Sequence, residues 1–426
     1  MLHKIPIKKV RLGLVLLICG LGVALLPATV VGRPKLVPAA APATLAEMCA
    51  PGGPTFNLET KTGHMQTPDG NSLFMWTFAN SDTGGNFQVP GPVLCVNEDD
   101  VVTINLSNSL PEATSLVFPG QTGVTATGDA AGIFTAEANA VNGTASYTFT
   151  AGEPGTYLYE SGTNPHKQVE MGLYGALIVR PALGANFAYN DATTEFEPGR
   201  EFLLVIHDMD PALHQAVERN ETFDVTNRKD HYWTINGRSF PDSIAPHNVP
   251  WLPNQPYGAL IEVKADVDPN NLGLPALIRY INAGLENHPF HPHGNHMRVV
   301  GRDGRLLSLP HGNFTTTIGS GQSYDLLFRW VNVEQWGTNG APPLIRDQVT
   351  YPGLLNLVFK DGLTWFSGDP NLGVQADFPP GNTLMNECGE FYFPWHSHAL
   401  NEFQNFDEGF GGLATLVRVD PPGCGQ

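Results

Sequence analysis

Short runs of alternating apolar residues constrain the fold of this chain more than any other feature of its sequence. Such runs occupy residues 101–106, 146–149, 156–159 and 176–179, and segments containing Gly, Pro, Asn and Asp separate them. Alternation with a period of two is typical of β-strands that bury one face. The chain has 46 Gly and 36 Pro among 426 residues, which suits a fold with many turns. We therefore predict an all-β protein built from β-sandwiches.

An internal repeat divides the chain into two units. Residues 155–180 resemble residues 389–418, so that each unit ends in the same strand, loop and strand. Pro181 follows the last strand of the first unit, and an apolar run at 202–206 opens the second. We predict two β-sandwich domains, at residues 50–182 and 198–421. The second is longer, and we place an insertion at about residues 307–385.

Residues 1–30 have the composition of a targeting segment. Basic residues up to Arg11 precede an apolar run at residues 12–26, and small residues follow it. We predict a signal peptide or N-terminal anchor at residues 1–30 and a Pro- and Ala-rich linker at residues 31–49. The protein is therefore expected to be exported to the periplasm, the cell surface or the extracellular space. No membrane contact is expected beyond this signal.

The net charge limits the classes of partner that the chain can bind, and its cysteines indicate the redox compartment. The formal net charge of -18 argues against nucleic acid, since a phosphate backbone needs clustered Lys and Arg. Outside the N-terminal apolar run the cysteines are Cys49, Cys95, Cys388 and Cys424. An even number in an exported chain indicates two disulfides, which we expect to be Cys49–Cys95 and Cys388–Cys424. Four cysteines allow three disulfide connectivities, so the two alternative connectivities stay open.

Two histidine-rich segments are the main candidates for chemistry. Four histidines lie within residues 288–296, and the segment His396-Ser397-His398 lies near the C-terminus. Imidazole is the commonest metal ligand among side chains, and an H-x-H step on a strand places both rings on one face. We predict a metal site formed by His291, His293, His396 and His398, with His288 as a weaker candidate. The alternative is that these histidines only pack and form hydrogen bonds.

Several segments resemble the multicopper oxidase family. They are residues 91–102, 155–177, 232–242 and 288–304, so the resemblance extends over most of the chain beyond the linker. It implies cupredoxin-like Greek-key β-sandwich domains. In the family a type 1 copper accepts electrons, and a trinuclear copper cluster held by eight histidines reduces dioxygen. By position, His288 matches a type 1 ligand, whereas the four other histidines match cluster ligands.

The chain departs from the family pattern at the type 1 copper. The central Cys of the family's H-C-H motif is Ser397 here, and the second imidazole and the axial ligand fall near Glu402 and Asp407. A hydroxyl replaces a thiolate poorly on copper. We therefore expect no blue copper. The period of two predicts that Ser397 points away from its neighbours His396 and His398.

The first domain lacks all four of its cluster histidines. Val117, Pro119, Glu160 and Gly162 occupy those positions, which excludes an ordinary trinuclear cluster. Glu160 is a tentative catalytic residue: it could be a metal ligand, a general base near the imidazoles or a solvated carboxylate. Residues 207–210, His-Asp-Met-Asp, are interpreted as a structural turn.

These observations leave two functional hypotheses. The first is a copper-binding oxidoreductase with a non-blue, mononuclear histidine site in the second domain, acting on a small molecule or a metal ion. Copper is favoured by the affinity order of divalent metals, with zinc as the alternative. The second is a non-catalytic cupredoxin-fold scaffold that binds metal or a protein partner. The resemblance also implies a homo-oligomer, since trimers occur among two-domain relatives.

Overall fold

The computed structural model describes residues 44–266, 271–331, 359–360, 364–365, 391–409 and 411–420. The predicted signal segment, most of the linker, most of the insertion and the pairing of Cys388 with Cys424 lie outside these residues. Strands dominate the described residues and helices are short, which confirms the all-β prediction. No helix within these ranges is long and apolar enough to cross a membrane.

The first half of the chain forms two main sheets and a small hairpin. Its strands are β1 (Thr55–Gln66), β2 (Ser72–Asn80), β3 (Leu94–Asn97), β4 (Val101–Asn108), β5 (Thr125–Gly128), β6 (Ala130–Ala131), β7 (Ala136–Glu137), β8 (Gly143–Thr150), β9 (Gly155–Glu160) and β10 (Tyr174–Arg180). The sheet orders are β2-β1-β4-β8-β5 and β3-β10-β9, with β6 paired to β7. Two short helices, α1 (Leu45–Met48) and α2 (Pro165–Gln168), accompany them.

The second half forms two larger sheets. Its strands are β11 (Glu201–Met209), β12 (Tyr232–Ile235), β13 (Ile261–Asp266), β14 (Ala276–Asn282), β15 (His288–Pro292), β16 (Met297–Arg302), β17 (Arg305–Asn313), β18 (Thr316–Ile318), β19 (Ser323–Phe328), β20 (Trp330–Val331), β21 (Phe359–Lys360), β22 (Thr364–Trp365), β23 (Phe391–Ser397), β24 (Gln404–Asn405), β25 (Glu408–Gly409) and β26 (Ala414–Asp420). The main orders are β12-β11-β14-β19-β16-β17 and β18-β15-β23-β26-β13-β20. Helix α3 (Pro211–Glu218) follows β11. Short 3-10 helices occupy Ser81–Thr83, Ala192–Thr194, Val225–Asn227, Asp242–Ile244 and Leu400–Glu402.

The predicted alternation is visible where a sheet has one face in solvent. Along β8, Ala145, Tyr147 and Phe149 are buried and pack into the core of the first half. By contrast, every residue of β11 is buried. Leu203 and Val205 pack against first-half residues such as Tyr174, whereas the alternate residues of β11 pack into the second core. Strand β11 therefore joins the two halves.

Among the described strands, each main sheet contains strands from only one half of the chain. Residues Ala39–Gln426 nevertheless cluster as one compact unit, so two separate domains remain a prediction. The disulfide between Cys49 and Cys95 is present, as predicted, with a Cα–Cα distance of 5.5 Å.

Candidate metal centre

Strands β15 and β23 bring the two histidine-rich segments together. They pair antiparallel, and His291 lies directly opposite His396. The pairing continues past both strands, because the His293 amide donates to the Pro394 carbonyl at 3.0 Å and the His398 amide donates to the Pro289 carbonyl at 2.8 Å. Residues two apart on a strand share a face. The register therefore places all four histidines on one face of the sheet.

We call His291, His293, His396 and His398 the histidine cluster. The His291 ring centroid lies 4.9 Å from that of His293, 5.1 Å from His398 and 5.8 Å from His396. The Nε2 atoms of His293 and His396 are 3.1 Å apart. These are the four histidines that the sequence predicted as a metal site, and the structure brings them together.

Hydrogen bonds fix the tautomer of two rings. The Nδ1 of His291 lies 2.7 Å from the Phe314 carbonyl and 2.9 Å from the Thr315 hydroxyl. The Nδ1 of His396 lies 2.7 Å from the Ser397 carbonyl. Because a carbonyl only accepts, each Nδ1 carries the hydrogen and each Nε2 presents a lone pair. Metal-binding histidines are usually oriented in this way.

Burial keeps these rings neutral. It lowers the pKa of His293 to about 4, with a further decrease from the neighbouring His396 and His291. Burial also lowers the pKa values of His291 and His396, although each Nδ1 hydrogen bond opposes this shift. The neutral imidazole is the form that binds a metal ion. At neutral pH His291, His293 and His396 therefore offer lone pairs rather than positive charge.

The cluster borders an open cavity of about 420 Å³, which is lined by residues 291–296 and Phe314. The described residues that line this cavity include no carboxylate, and the His296 ring lies 5.8 Å from that of Phe314. Across the residues that the structure describes, no group of three or more His, Cys, Asp or Glu side chains forms a ready metal-ligand set. The donor chemistry and ring orientation fit copper, but the rings do not form a finished coordination shell.

His288 has a different environment from the cluster. It is completely buried, its Nε2 lies 3.1 Å from Asp208 Oδ1, and its Nδ1 lies 2.9 Å from Glu402 Oε2. Burial alone would lower its pKa, but the hydrogen bonds to Asp208 and Glu402 raise the pKa to about 9. Both nitrogens then carry hydrogen and donate to carboxylates, so we leave His288 out of the ligand set.

His288, Asp208 and Glu402 belong to a larger cluster of charged side chains. Arg228 forms ion pairs with Asp208, with Glu170 at 2.6 Å and with Asp230 at 2.7 Å. The expected turn at residues 207–210 is wrong, because β11 runs through Met209 and carries Asp208 into the interior. Asp208 precedes His288 by 80 residues, so the sequence offered no signal for this contact. Glu402, however, stands where the family comparison placed a copper ligand.

Ser397 lies on the interior face of β23, as the period of two predicts. It is opposite Phe290, has no exposed surface, and its hydroxyl accepts a hydrogen bond from the Ala399 amide at 3.2 Å. His398 is exposed to solvent, in contrast. The type 1 copper position therefore contains a serine hydroxyl, with an imidazolium and carboxylates in its surroundings.

In the first half of the chain, the positions that match the family's cluster histidines are packed against one another. Val117 and Glu160 pair across two segments in the way that His291 and His396 do, with amide-to-carbonyl distances of 2.9 and 3.2 Å. A Cβ atom on Gly162 would lie 2.7 Å from Val117 Cγ1, so a larger side chain there meets Val117. Burial raises the pKa of Glu160 to about 7. Among the described residues, no hydrogen bond or ion pair joins its carboxylate to the histidine cluster.

The chain is similar to part of several known copper oxidases and copper-containing reductases. A family model described as multicopper oxidase matches residues 75–183. Laccase-3 of Oryza sativa subsp. japonica is 29% identical over 248 residues, which cover 57% of this chain and 39% of the laccase. A copper-containing nitrite reductase of Neisseria gonorrhoeae is 32% identical over 131 residues, 30% of each chain. These matches support a relationship between the chain and the multicopper oxidase family.

Solved structures of multicopper oxidases have a similar fold. The blue copper oxidase of Nitrosomonas europaea has a TM-score of 0.56 at 19% identity and covers 86% of this chain, with 85% of its own chain matched. The multicopper oxidase mgLAC has a TM-score of 0.57 at 18% identity, with 86% of each chain matched. At this identity they show a shared cupredoxin-like fold. The chain spans only about two fifths of the rice laccase length, since 39% of Laccase-3 is matched.

Proposed function

We propose that this multicopper oxidase-like protein binds one copper ion at the histidine cluster and acts as a non-blue, copper-dependent oxidoreductase. The observation that carries the proposal is the distance of 3.1 Å between His293 Nε2 and His396 Nε2. No Asp or Glu is found among the described residues that line the adjacent cavity. Two neutral imidazoles that face each other in this way suit a shared cation. His291 and His398 supply further nitrogens.

The chain's own residues define what the site can do. Copper bound there would supply one-electron redox chemistry. Phe314 and Thr315 hold His291, the Ser397 carbonyl holds His396, and the open cavity admits a small molecule or a metal ion as substrate. For Glu160 we propose a proton-exchange role, because a pKa of about 7 suits proton transfer at neutral pH. Zinc is the alternative metal for the same nitrogens.

The second candidate is a non-catalytic scaffold that binds metal or a protein partner. It is favoured by the absence of a ready ligand set among the described side chains and by the serine at position 397. A laccase-type cycle needs an electron-accepting thiolate site, and Ser397 cannot provide one. The two candidates differ in redox activity rather than in metal binding.

The deciding experiment measures metal and turnover on the same preparation. Protein made in copper-rich medium is expected to contain about one copper per chain, with an electron paramagnetic resonance signal of a non-blue site and no intense blue band. Oxygen uptake is then followed with phenolic and metal-ion substrates, and nitrite reduction is followed separately. His166→Ala is the control, since His166 is exposed and lies away from the cluster in α2. Protein without copper would refute the proposal, and copper without turnover would favour the scaffold.

Export and assembly are further parts of the proposal. We infer an exported protein from the composition of residues 1–30 and a homo-oligomer, a trimer by resemblance, from the family. Both have direct tests. Fractionation of the expressing cells should place the protein outside the cytoplasm, and light scattering should give about three times the monomer mass.

A further inference from the structure

A second cavity lies away from the histidine cluster. Its volume is about 310 Å³, and it is formed by residues 71–74 at the start of β2, by helix α3, by Tyr232 and by Phe406. Phe406 belongs to the loop that follows Glu402, whereas Phe74 comes from the first half of the chain. Cavities of this size between packed segments are common sites for small ligands.

Three aromatic rings form the apolar part of this cavity. They belong to Phe74, Tyr232 and Phe406. The Tyr232 hydroxyl donates to Asp69 at 2.8 Å, which fixes its ring, and the Phe406 ring lies 6.0 Å from that of Tyr232. Phe406 is nevertheless 40% exposed. Aromatic faces attract cations because their quadrupole is negative above the ring.

The polar part of the cavity includes a carboxylate and an imidazole that can accept hydrogen bonds. Among the described residues that line it, Glu218 is the one with a carboxylate, and none is Lys or Arg. Its Oε1 lies 2.9 Å from His64 Nε2, which leaves Oε2 available to a ligand. His214, which is 1% exposed, donates from Nδ1 to the Phe74 carbonyl at 2.6 Å. Its Nε2 is then a lone pair, and it has no hydrogen-bond partner among the described residues.

We propose that this cavity binds a small organic ammonium ion with an aromatic body, such as an arylalkylammonium. The carboxylate of Glu218 pairs with the ammonium group, and the rings of Phe74, Tyr232 and Phe406 cover the aromatic body. The overall charge of -18 adds to the attraction for cations. An anionic analogue would face Glu218 with no basic side chain in the lining to compensate. This site is independent of copper binding.

The test compares three probes that share a phenyl body: 2-phenylethylammonium, 2-phenylethanol and 3-phenylpropionate. Isothermal titration calorimetry on the full chain should show saturable binding of the ammonium, at least about tenfold tighter than the other two. Glu218→Gln should weaken ammonium binding about tenfold or more, and Phe406→Ala should weaken it several-fold. Glu221→Gln, an exposed residue three positions later that does not line the cavity, should leave binding unchanged.

Three results would overturn this assignment. They are no detectable ammonium binding, affinities for the three probes within about twofold of one another, and an equal loss in Glu218→Gln and Glu221→Gln. Both glutamates are exposed, so their variants should fold, and thermal unfolding of each variant confirms this. The copper content of Glu218→Gln should equal that of the unsubstituted protein, which keeps a failure here distinct from a failure of the copper proposal.

Discussion

Strand β15 carries two kinds of histidine on its two faces. His288 is on the interior face and contacts two carboxylates, which raise its pKa to about 9. His291 is on the outer face with His293 just beyond the strand, and burial lowers the pKa of His293 to about 4. The same residue type is therefore a cation on one side of the strand and a neutral lone-pair donor on the other.

The difference shows that neighbours decide what a buried histidine can do. On the interior face, Asp208 and Glu402 stabilise the imidazolium, so a cationic side chain replaces the metal charge of the family's type 1 site. On the outer face, carbonyl and hydroxyl groups accept from Nδ1 and leave Nε2 free. Only the outer face keeps the chemistry of a metal ligand.

The largest expected effect follows from removing the directly paired histidines of the outer face. His291→Ala combined with His396→Ala deletes two of the four proposed ligands. We expect copper affinity to fall by more than about 100-fold, because loss of an outer-shell partner alone costs about 10- to 100-fold. Copper content after dialysis, measured by mass spectrometry, checks this. Retention of about one copper per chain would move the metal site elsewhere.

The interior face is tested by removing one carboxylate. Glu402→Ala leaves His288 with Asp208 alone and a buried cavity, and loss of one partner from a buried ion pair costs about 3–5 kcal/mol. The free energy of unfolding in urea should decrease by that amount at pH 7. Glu408→Ala is the matched control, since Glu408 is an exposed residue at the start of β25. A change of similar size in both variants would contradict a specific role for the His288 contact.

The His288 cation also predicts how stability depends on pH. Its pKa is about 9 in the folded chain against 6.5 for an ordinary histidine, so its stabilising contribution is complete below pH 6.5 and is lost as pH rises through 9. A shift of this size corresponds to about 3 kcal/mol. The free energy of unfolding should therefore fall between these pH values, and His288→Gln should show a smaller decrease. An equal decrease in both proteins would refute the charged His288.

The outer face was predictable from the sequence because its geometry is local. An H-x-H step on each of two adjacent strands fixes which side the rings occupy, and the antiparallel register of His291 with His396 completes the cluster. The position of Ser397 followed from the same rule. The family comparison likewise placed Glu402 beside the former copper site, where it contacts His288.

The interior face was only partly predictable because its partners are distant in the chain. Asp208 lies on β11, in a different sheet from β15, and 80 residues separate it from His288. Residues 207–210 looked like a turn because two aspartates surround Met209, whereas tertiary packing extends the strand through them. The cavity at Phe406 was missed for the same reason, since its walls come from segments far apart in sequence.

The smallest effect concerns the hydroxyl that orients His291. Thr315→Val removes one of the two acceptors at His291 Nδ1 and keeps the Phe314 carbonyl at 2.7 Å. The ring then loses part of its orientation, so copper affinity should fall by up to about tenfold, the lower end for an outer-shell change. Competitive chelator titration measures this, with Thr317→Val, an exposed threonine on β18, as the control. Equal affinities in both variants would mean that the Phe314 carbonyl alone holds the ring, and His291 would then resemble His396, whose Nδ1 contacts a single carbonyl.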